Sequence, residues 1–392
     1  MIIRASNRVN KIGSYAFAEI DKEVSRLEKQ GIEVIDFGVG DPRSPTPDIV
    51  RSSCQESIDR NRSSGYPSYI GTDEFRQTIA DWIKKRFSVS LDYEEEITAT
   101  IGAKEAVFNF HEGFINPGDF VLIPNPGYPP YERGTLFAEG EPYFLNLLQQ
   151  DDFLVNLDKI PEEIVKKTKM LWINYPNNPT TVMADKDFYQ RIIDFCHKND
   201  IIIASDECYS EIYYDEKPIS ILELDREGIV VFQSLSKRSA MTGYRVGFLA
   251  GDKRIIDIFR KVKTNIDSGT PIFIQDAAGA ALGDEEHVEI MRNEYKAKRD
   301  IMREAFRQIG LKDCTPRATI YVWQKVPQGL SCLEFSRRLI KEKAIVTTPG
   351  SALSREVDGI NPGDEYVRFA LVPSIEECKE AARRIKEGGR WF

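Results

Sequence analysis

Histidine is scarce in this chain: His111, His197 and His287 are the only three in 392 residues and stand far apart. A metal site built on imidazoles needs several of them together, so their scarcity argues against metal chemistry. The six cysteines (Cys54, Cys196, Cys208, Cys314, Cys332, Cys378) are scattered and form no C-x-x-C pair. That spacing argues against a disulfide framework and for reduced thiols. No apolar run approaches the roughly 18 to 20 residues of a membrane span. The opening MIIRASNRVNKIGSYAF lacks the apolar core of a signal peptide, so a soluble, cytoplasmic chain is expected. Positive charge is also in short supply, with 53 Lys+Arg against 62 Asp+Glu and a net charge of −9. Nucleic acid and anionic membrane are therefore not the expected partners. An anionic small ligand stays open, because local cations decide that. Internal repeats, low-complexity tracts and long linkers are absent.

What is present is a succession of apolar runs of strand length, at 34–40, 97–102, 120–125, 170–176, 201–207, 229–236 and 246–251. Between most of them lie stretches of helical period, such as 74–87 and 187–199. Buried strands alternating with helices predict an α/β domain with a mostly parallel sheet and helices on both faces. The final stretch differs, with a long charged helix followed by short strands (IYVWQKV, YVRFALV) and further helices. It reads as a separate α+β lobe. The expected division is an N-terminal arm with part of the small domain at 1–47, a large domain at 48–282 and a small domain at 283–392.

Ligands of open α/β sheets sit beyond the carboxyl ends of the strands. In ITATIGAKEAVF a strand runs into Gly102, Ala103 and Lys104 and then a helix, whose free N–H groups would favour a phosphate, although taken alone the segment reads first as a plain strand-to-helix turn. It is no Walker loop, and VIDFGVGDP lacks the third glycine of a dinucleotide fingerprint. In IIIASDECYSEI, Asp206 follows an apolar run, so an ionised carboxylate there needs a cation such as a protonated pyridine nitrogen; a helix cap is the alternative. Tyr209 lies three residues on. In IVVFQSLSKRSAMTGYRVGF, Lys237 is expected at a strand end, flanked by Ser234 and Ser236, with Arg238 and Arg245 nearby. A neutral amine for carbonyl chemistry needs burial or a neighbouring cation, and hydroxyls with guanidinium groups suit a phosphate dianion. In INYPNNPTT, Asn178 ends either in a simple turn or as a donor to a ligand oxygen.

Taken in order, NYPNNPT, SDECYSEI, SLSKRSAMTGYRVGF and YVRFAL resemble the class I/II aminotransferases, part of the fold-type I pyridoxal-phosphate enzymes, over nearly the whole chain. The resemblance implies a large α/β/α domain plus a small α+β domain, pyridoxal 5'-phosphate as cofactor, and amino and keto acids as substrates. It implies that Lys237 carries the cofactor and shuttles a proton, and that Asp206 holds the pyridine nitrogen. Asn178 and Tyr209 match donors to the ring oxygen, and Tyr128 matches the ring stacked on the cofactor. Ala103 and Lys104 through their backbone, with Ser234, Ser236 and Arg245, match the phosphate cup. Tyr66 matches a tyrosine reaching the phosphate from the neighbouring subunit, which implies a homodimer with shared active sites. Arg368 and Gly40 match contacts to the substrate α-carboxylate.

Two departures stand out. N-P-T-G reads Asn178-Pro179-Thr180-Thr181 here, a change expected to alter only a turn. S-K-T reads Ser236-Lys237-Arg238, which is expected to add a cation near the phosphate or the substrate. Within the family, KIGSYAFAEIDKE, GYPSYIG, NPGYPPYERGTLFAEGEP and VKTNIDSG look most like the LL-diaminopimelate aminotransferases of lysine biosynthesis. That likeness implies a substrate with a second charged end. The Lys104 side chain is then the candidate cation, Arg238 a weaker one, and Tyr15 of the arm a supplier of polar contacts. Aspartate and succinyl-diaminopimelate enzymes share most of these motifs and form the alternative; a lyase or a regulator on the same fold is more remote.

Overall fold

Runs of β-branched and aromatic residues bounded by turn residues become strands wherever both of their faces find a cover. The computed structural model describes residues 1, 3–12, 18–387 and 392. Seven strands form one sheet: β1 (Ile97–Thr100), β2 (Phe120–Asn125), β3 (Glu141–Asn146), β4 (Thr168–Asn174), β5 (Ile202–Asp206), β6 (Ile229–Ser234) and β7 (Gly247–Gly251). Their order across the sheet is β1-β7-β6-β5-β4-β2-β3. Only β7 runs against its neighbours; the pairs from β6 to β3 are parallel.

Alternation along β4 shows why the run reads as continuously apolar. Leu171 and Ile173 point into a core shared with the helices Asp73–Phe87, Lys186–Lys198 and Ile272–Gly283. Met170 and Trp172 point the opposite way, into a core shared with Ala103–Phe110, Pro129–Phe137 and Lys253–Lys263. Period two thus serves two buried faces at once. Strand β3 has no counterpart among the expected strands. Its sequence EPYFLN is half-exposed, because an edge strand covered on one side carries polar residues.

The run at 34–40 departs from expectation. Only Ile35–Asp36 is a strand, paired in parallel with Ile345–Val346 and outside the large sheet. Ile35 and Phe37 bury into a second core with Met291, Tyr295, Phe306 and Phe369, and Gly38 then breaks the strand. That second core lies between the long helix Glu286–Gln308, the helix Ile375–Lys386 and a three-stranded antiparallel sheet. The sheet comprises β8 (Tyr321–Lys325), β9 (Thr348–Pro349) and the central β10 (Tyr366–Ala370). Among the described residues, no helix is long and apolar enough to cross a membrane.

His111 belongs to this scaffold. It is fully buried, accepts from Trp172 Nε1 at 3.0 Å and faces the Phe108 carbonyl through Nδ1 at 3.2 Å. Those partners select the neutral Nδ1–H tautomer. Burial lowers its pKa from 6.5 to about 4. The folded state therefore takes up this proton later than the unfolded chain. Its stabilising contribution is complete above pH 6.5 and is lost as pH falls through about 4. The loss amounts to on the order of 3 kcal/mol. The urea midpoint of the wild type should fall more steeply between neutral and acidic pH than that of His111→Gln; parallel profiles would remove His111 from the acid response.

Candidate active site

Asp206 is the last residue of β5, the central strand of the large sheet, and is 6% exposed. No helix begins there, so its carboxylate is not a helix cap. Oδ2 accepts from the Tyr131 hydroxyl at 2.6 Å, and Oδ1 accepts from the Cys208 amide at 3.1 Å. Burial raises the Asp206 pKa, while these two donors favour the ionised form. Among the described residues no basic side chain forms an ion pair with it. Asn174 ends β4 opposite Asp206. Its amide donates to the Asp206 carbonyl at 2.8 Å, and its oxygen accepts from the Asn178 amide at 2.9 Å. The strand ends thus fix the Asn178 loop against the Asp206 position.

Lys237 does not end a strand. Strand β6 stops at Ser234, and Lys237 lies in the helical turn Leu235–Arg238, where Ser234 Oγ accepts from the Ser236 amide at 3.2 Å. The Lys237 amine donates to the Gly40 carbonyl. A side chain at Gly40 would strike the Tyr321 ring and hydroxyl, so only glycine lets the arm approach so closely. Tyr321 Oη lies 3.0 Å from Tyr209 Oη, and burial pushes the Tyr209 hydroxyl pKa up.

Arg368, on β10, reaches across from the second lobe. Its guanidinium donates to Asn178 Oδ1 at 3.0 Å and to the Gly38 carbonyl at 2.9 Å, and it lies over the Tyr321 ring at 4.4 Å. Its Nε is buried without an acceptor among the described residues. Tyr128 packs edge-on to Tyr131 at 5.8 Å; burial raises its hydroxyl pKa, the Asp206 charge adds to this, and Arg245 opposes it.

Beyond β1, Gly102 (φ +74°) precedes the helix Ala103–Phe110, and any side chain at Gly102 would collide with the Arg245 guanidinium. The first N–H groups of a helix have no acceptor within it. Ala103 and Lys104 therefore present amides beside the Arg245 cation and below Ser234, which stands opposite Gly247. Arg245 is itself at φ +55° and donates to the Thr242 carbonyl at 2.9 Å.

Two expected side chains stand apart, and a third residue is not described. The Lys104 side chain is exposed and forms no ion pair among the described residues. Tyr66 is 88% exposed and joins no hydrogen bond of this cleft. Tyr15 lies outside the described residues. Arg238 corrects an expectation: it faces neither phosphate cup nor cleft, but pairs with Glu285 at 2.7 Å on the far side of the turn. Thr181, standing where the family pattern has glycine, adopts φ +67° and is buried. Tyr131, Asn174 and Tyr321 were not among the expected residues. Tyr131 follows Tyr128 by three residues in NPGYPPY, and Asn174 is the polar end of an apolar run; Tyr321 gave no local signal.

The residues present fit pyridoxal phosphate. Among the described residues the buried Asp206 carboxylate has no cation, the Gly102 turn offers helix amides beside an arginine, and an amine stands in the same cleft. The family model for aminotransferase class I and II matches residues 32–385. The LL-diaminopimelate aminotransferase of Aquifex aeolicus is 43% identical over 385 residues, covering 97% of this chain and 98% of that protein. The enzyme of that name from Halothermothrix orenii is 41% identical, covering 97% of each. Among solved structures, an aminotransferase from Neisseria meningitidis superposes with a TM-score of 0.91 at 34% identity, covering 98% of this chain and all of that one (100%). A match of that extent, on a fold that gathers these groups at the carboxyl ends of its strands, shows that the chain belongs to the class I and II aminotransferases and is a pyridoxal-phosphate-dependent transaminase.

Proposed function

We propose that this enzyme transfers an amino group from LL-diaminopimelate to 2-oxoglutarate, serving lysine biosynthesis in the cytoplasm as a homodimer with shared active sites. The observation that carries the substrate is similarity over nearly the full length to the LL-diaminopimelate aminotransferases of A. aeolicus and H. orenii. In this reading residues 48–282 form the cofactor-binding domain, 1–47 the arm with part of the small domain, and 283–392 the rest of the small domain.

Pyridoxal phosphate supplies an electron-withdrawing ring when bound. Lys237 bears it, and its Nζ takes and returns the proton at the substrate Cα. The Asp206 carboxylate would hold the pyridine nitrogen in its protonated form. The Tyr131 hydroxyl and the Cys208 amide favour the ionised form of that carboxylate and oppose the effect of its burial. Asn178 and Tyr209 orient the ring oxygen, and Tyr128 covers the ring face. Ala103 and Lys104 amides, Ser234, Ser236 and Arg245 take the phosphate, joined by Tyr66 of the other subunit. The near-complete exposure of Tyr66 in one chain is what such a role needs. Arg368 receives the α-carboxylate as a bidentate partner, with Gly40 beside it. The exposed Lys104 ammonium is the candidate partner for a distal carboxylate, and Tyr15 supplies polar contacts from the arm.

Asp206→Asn should fold normally and lose about 10²-fold or more in rate, because an amide cannot hold the ring nitrogen protonated. Single-turnover rates close to wild type would remove that role. Mixing Tyr66→Phe and Lys237→Ala homodimers should restore activity on subunit exchange, since one site of the mixed dimer carries neither lesion. No recovery in a verified mixed dimer would mean that the sites are not shared. A donor panel of LL-diaminopimelate, succinyl-diaminopimelate, aspartate and alanine against 2-oxoglutarate tests the substrate. LL-diaminopimelate should lead in kcat/KM and alanine should fail, with Lys104→Ala raising KM for donor and acceptor but leaving cofactor content unchanged. Aspartate as the better donor, with diaminopimelate inert, would make this an aspartate aminotransferase.

A further inference from the structure

The turn that carries Lys237 is fastened to the junction of two helices by side chains that take no part in the cleft. Lys237 and Arg238 are consecutive in one helical turn, so they leave it about 100° apart. Lys237 turns to Gly40, while Arg238 turns away and is buried, its side chain 4% exposed. There the Arg238 guanidinium donates to the Ala281 carbonyl at 2.6 Å and pairs with Glu285 Oε1 at 2.7 Å. The next residue makes a second link. Ser239 Oγ lies 2.9 Å from His287 Nε2, and His287 Nδ1 lies 2.5 Å from Asp284 Oδ2. Arg238 Nη1 also donates to Ser239 Oγ at 3.1 Å, which joins the two links.

A Ser–His–Asp order is familiar from hydrolases, but Ser239 is fully buried and already bonded on both sides. No substrate reaches it, so the chain of bonds holds rather than attacks. What it holds is informative. The helix Ile272–Gly283 buries Ala277, Ala278 and Ala281 in the core of the large sheet. The helix Glu286–Gln308 buries Met291, Tyr295 and Met302 in the second core. Asp284 and Glu285 are the two residues between these helices. Both links from the Lys237 turn therefore end on the short segment that joins the two cores. Arg238 is nearly free of water, so losing Glu285 would strand a buried cation, and the link resists stretching. Its fork satisfies the last turn of one helix through Ala281 and grips the start of the next through Glu285.

We propose that Arg238 and His287 are positioning residues for Lys237: through Glu285 and Asp284 they tie the placement of the Lys237 amine to the placement of the second lobe, and so to Arg368, which that lobe carries. The inference rests on Lys237 being the cofactor-bearing lysine. It is tested with holoenzyme carrying Glu285→Gln, Arg238→Lys, the double variant and His287→Asn. Each single variant should lower kcat by about tenfold, with KM changed less than about twofold. Each should also shift the pH midpoint of the visible absorbance of the lysine-bound cofactor by more than about half a unit. The double variant should be no worse than the poorer single one, since both break the same link. Wild-type midpoints and turnover in the variants, or single effects that add, overturn the proposal. If Arg238→Lys fails to fold, Glu285→Gln and His287→Asn decide it, because the Glu285 side chain is partly exposed (38%) and gives up only its charge. A wild-type chain without lysine-bound cofactor absorbance would overturn the assignment of Lys237 instead.

Discussion

A carboxylate at the end of the central strand sets the terms for the rest of this cleft. Asp206 is almost wholly buried, and an ionised group so placed is tolerated only with donors and a counter-charge. The protein supplies the donors, Tyr131 Oη and the Cys208 amide, and fixes the strand end through Asn174. It supplies no described cation. A ligand with a protonated ring nitrogen, the role proposed for the cofactor, would complete the arrangement, and affinity and electronic activation would then come from one interaction. Tyr131 can hold its bond because its ring is stacked on Trp172 at 4.6 Å, and Trp172 is in turn bonded to His111. The helical core on that face therefore orients a group that acts in the cleft.

The second wall of the cleft comes from the other lobe. Arg368 on β10 reaches Asn178, whose amide is held by the end of β4, and the Gly38 carbonyl, which follows the short strand paired with Ile345–Val346. Three segments distant in sequence thus share one guanidinium. Gly40 and Tyr321 add a contact so close that no side chain fits at position 40. The arm is thereby held against the Lys237 amine. The cleft is consequently a property of how the lobes meet as much as of either lobe.

Local sequence made much of this legible. Asp206 and Asn174 are polar residues ending apolar runs, and Ser234, Ser236 and Lys237 follow another, so position along a strand announced a site at its carboxyl end. Strand β3 and residue Arg238 were not legible for physical reasons. An edge strand half in water has no strong apolar period. Arg238 sits beside Lys237 in sequence, yet one step along a helical turn rotates its side chain to the opposite side.

The alternation of buried strands and helices, the family pattern and the residue types gathered at the strand ends follow from local sequence, because each depends on neighbours within a few positions. Long-range packing, by contrast, takes the run at 34–40 away from the large sheet into the second core, sets Tyr131 against Asp206, and places Tyr321 against Gly40, Tyr209 and Arg368. The same packing joins residues 330 positions apart, as Arg368 and Gly38 are. Contacts over such separations are fixed by how whole faces pack and which buried polar groups must find partners, and no local pattern encodes either.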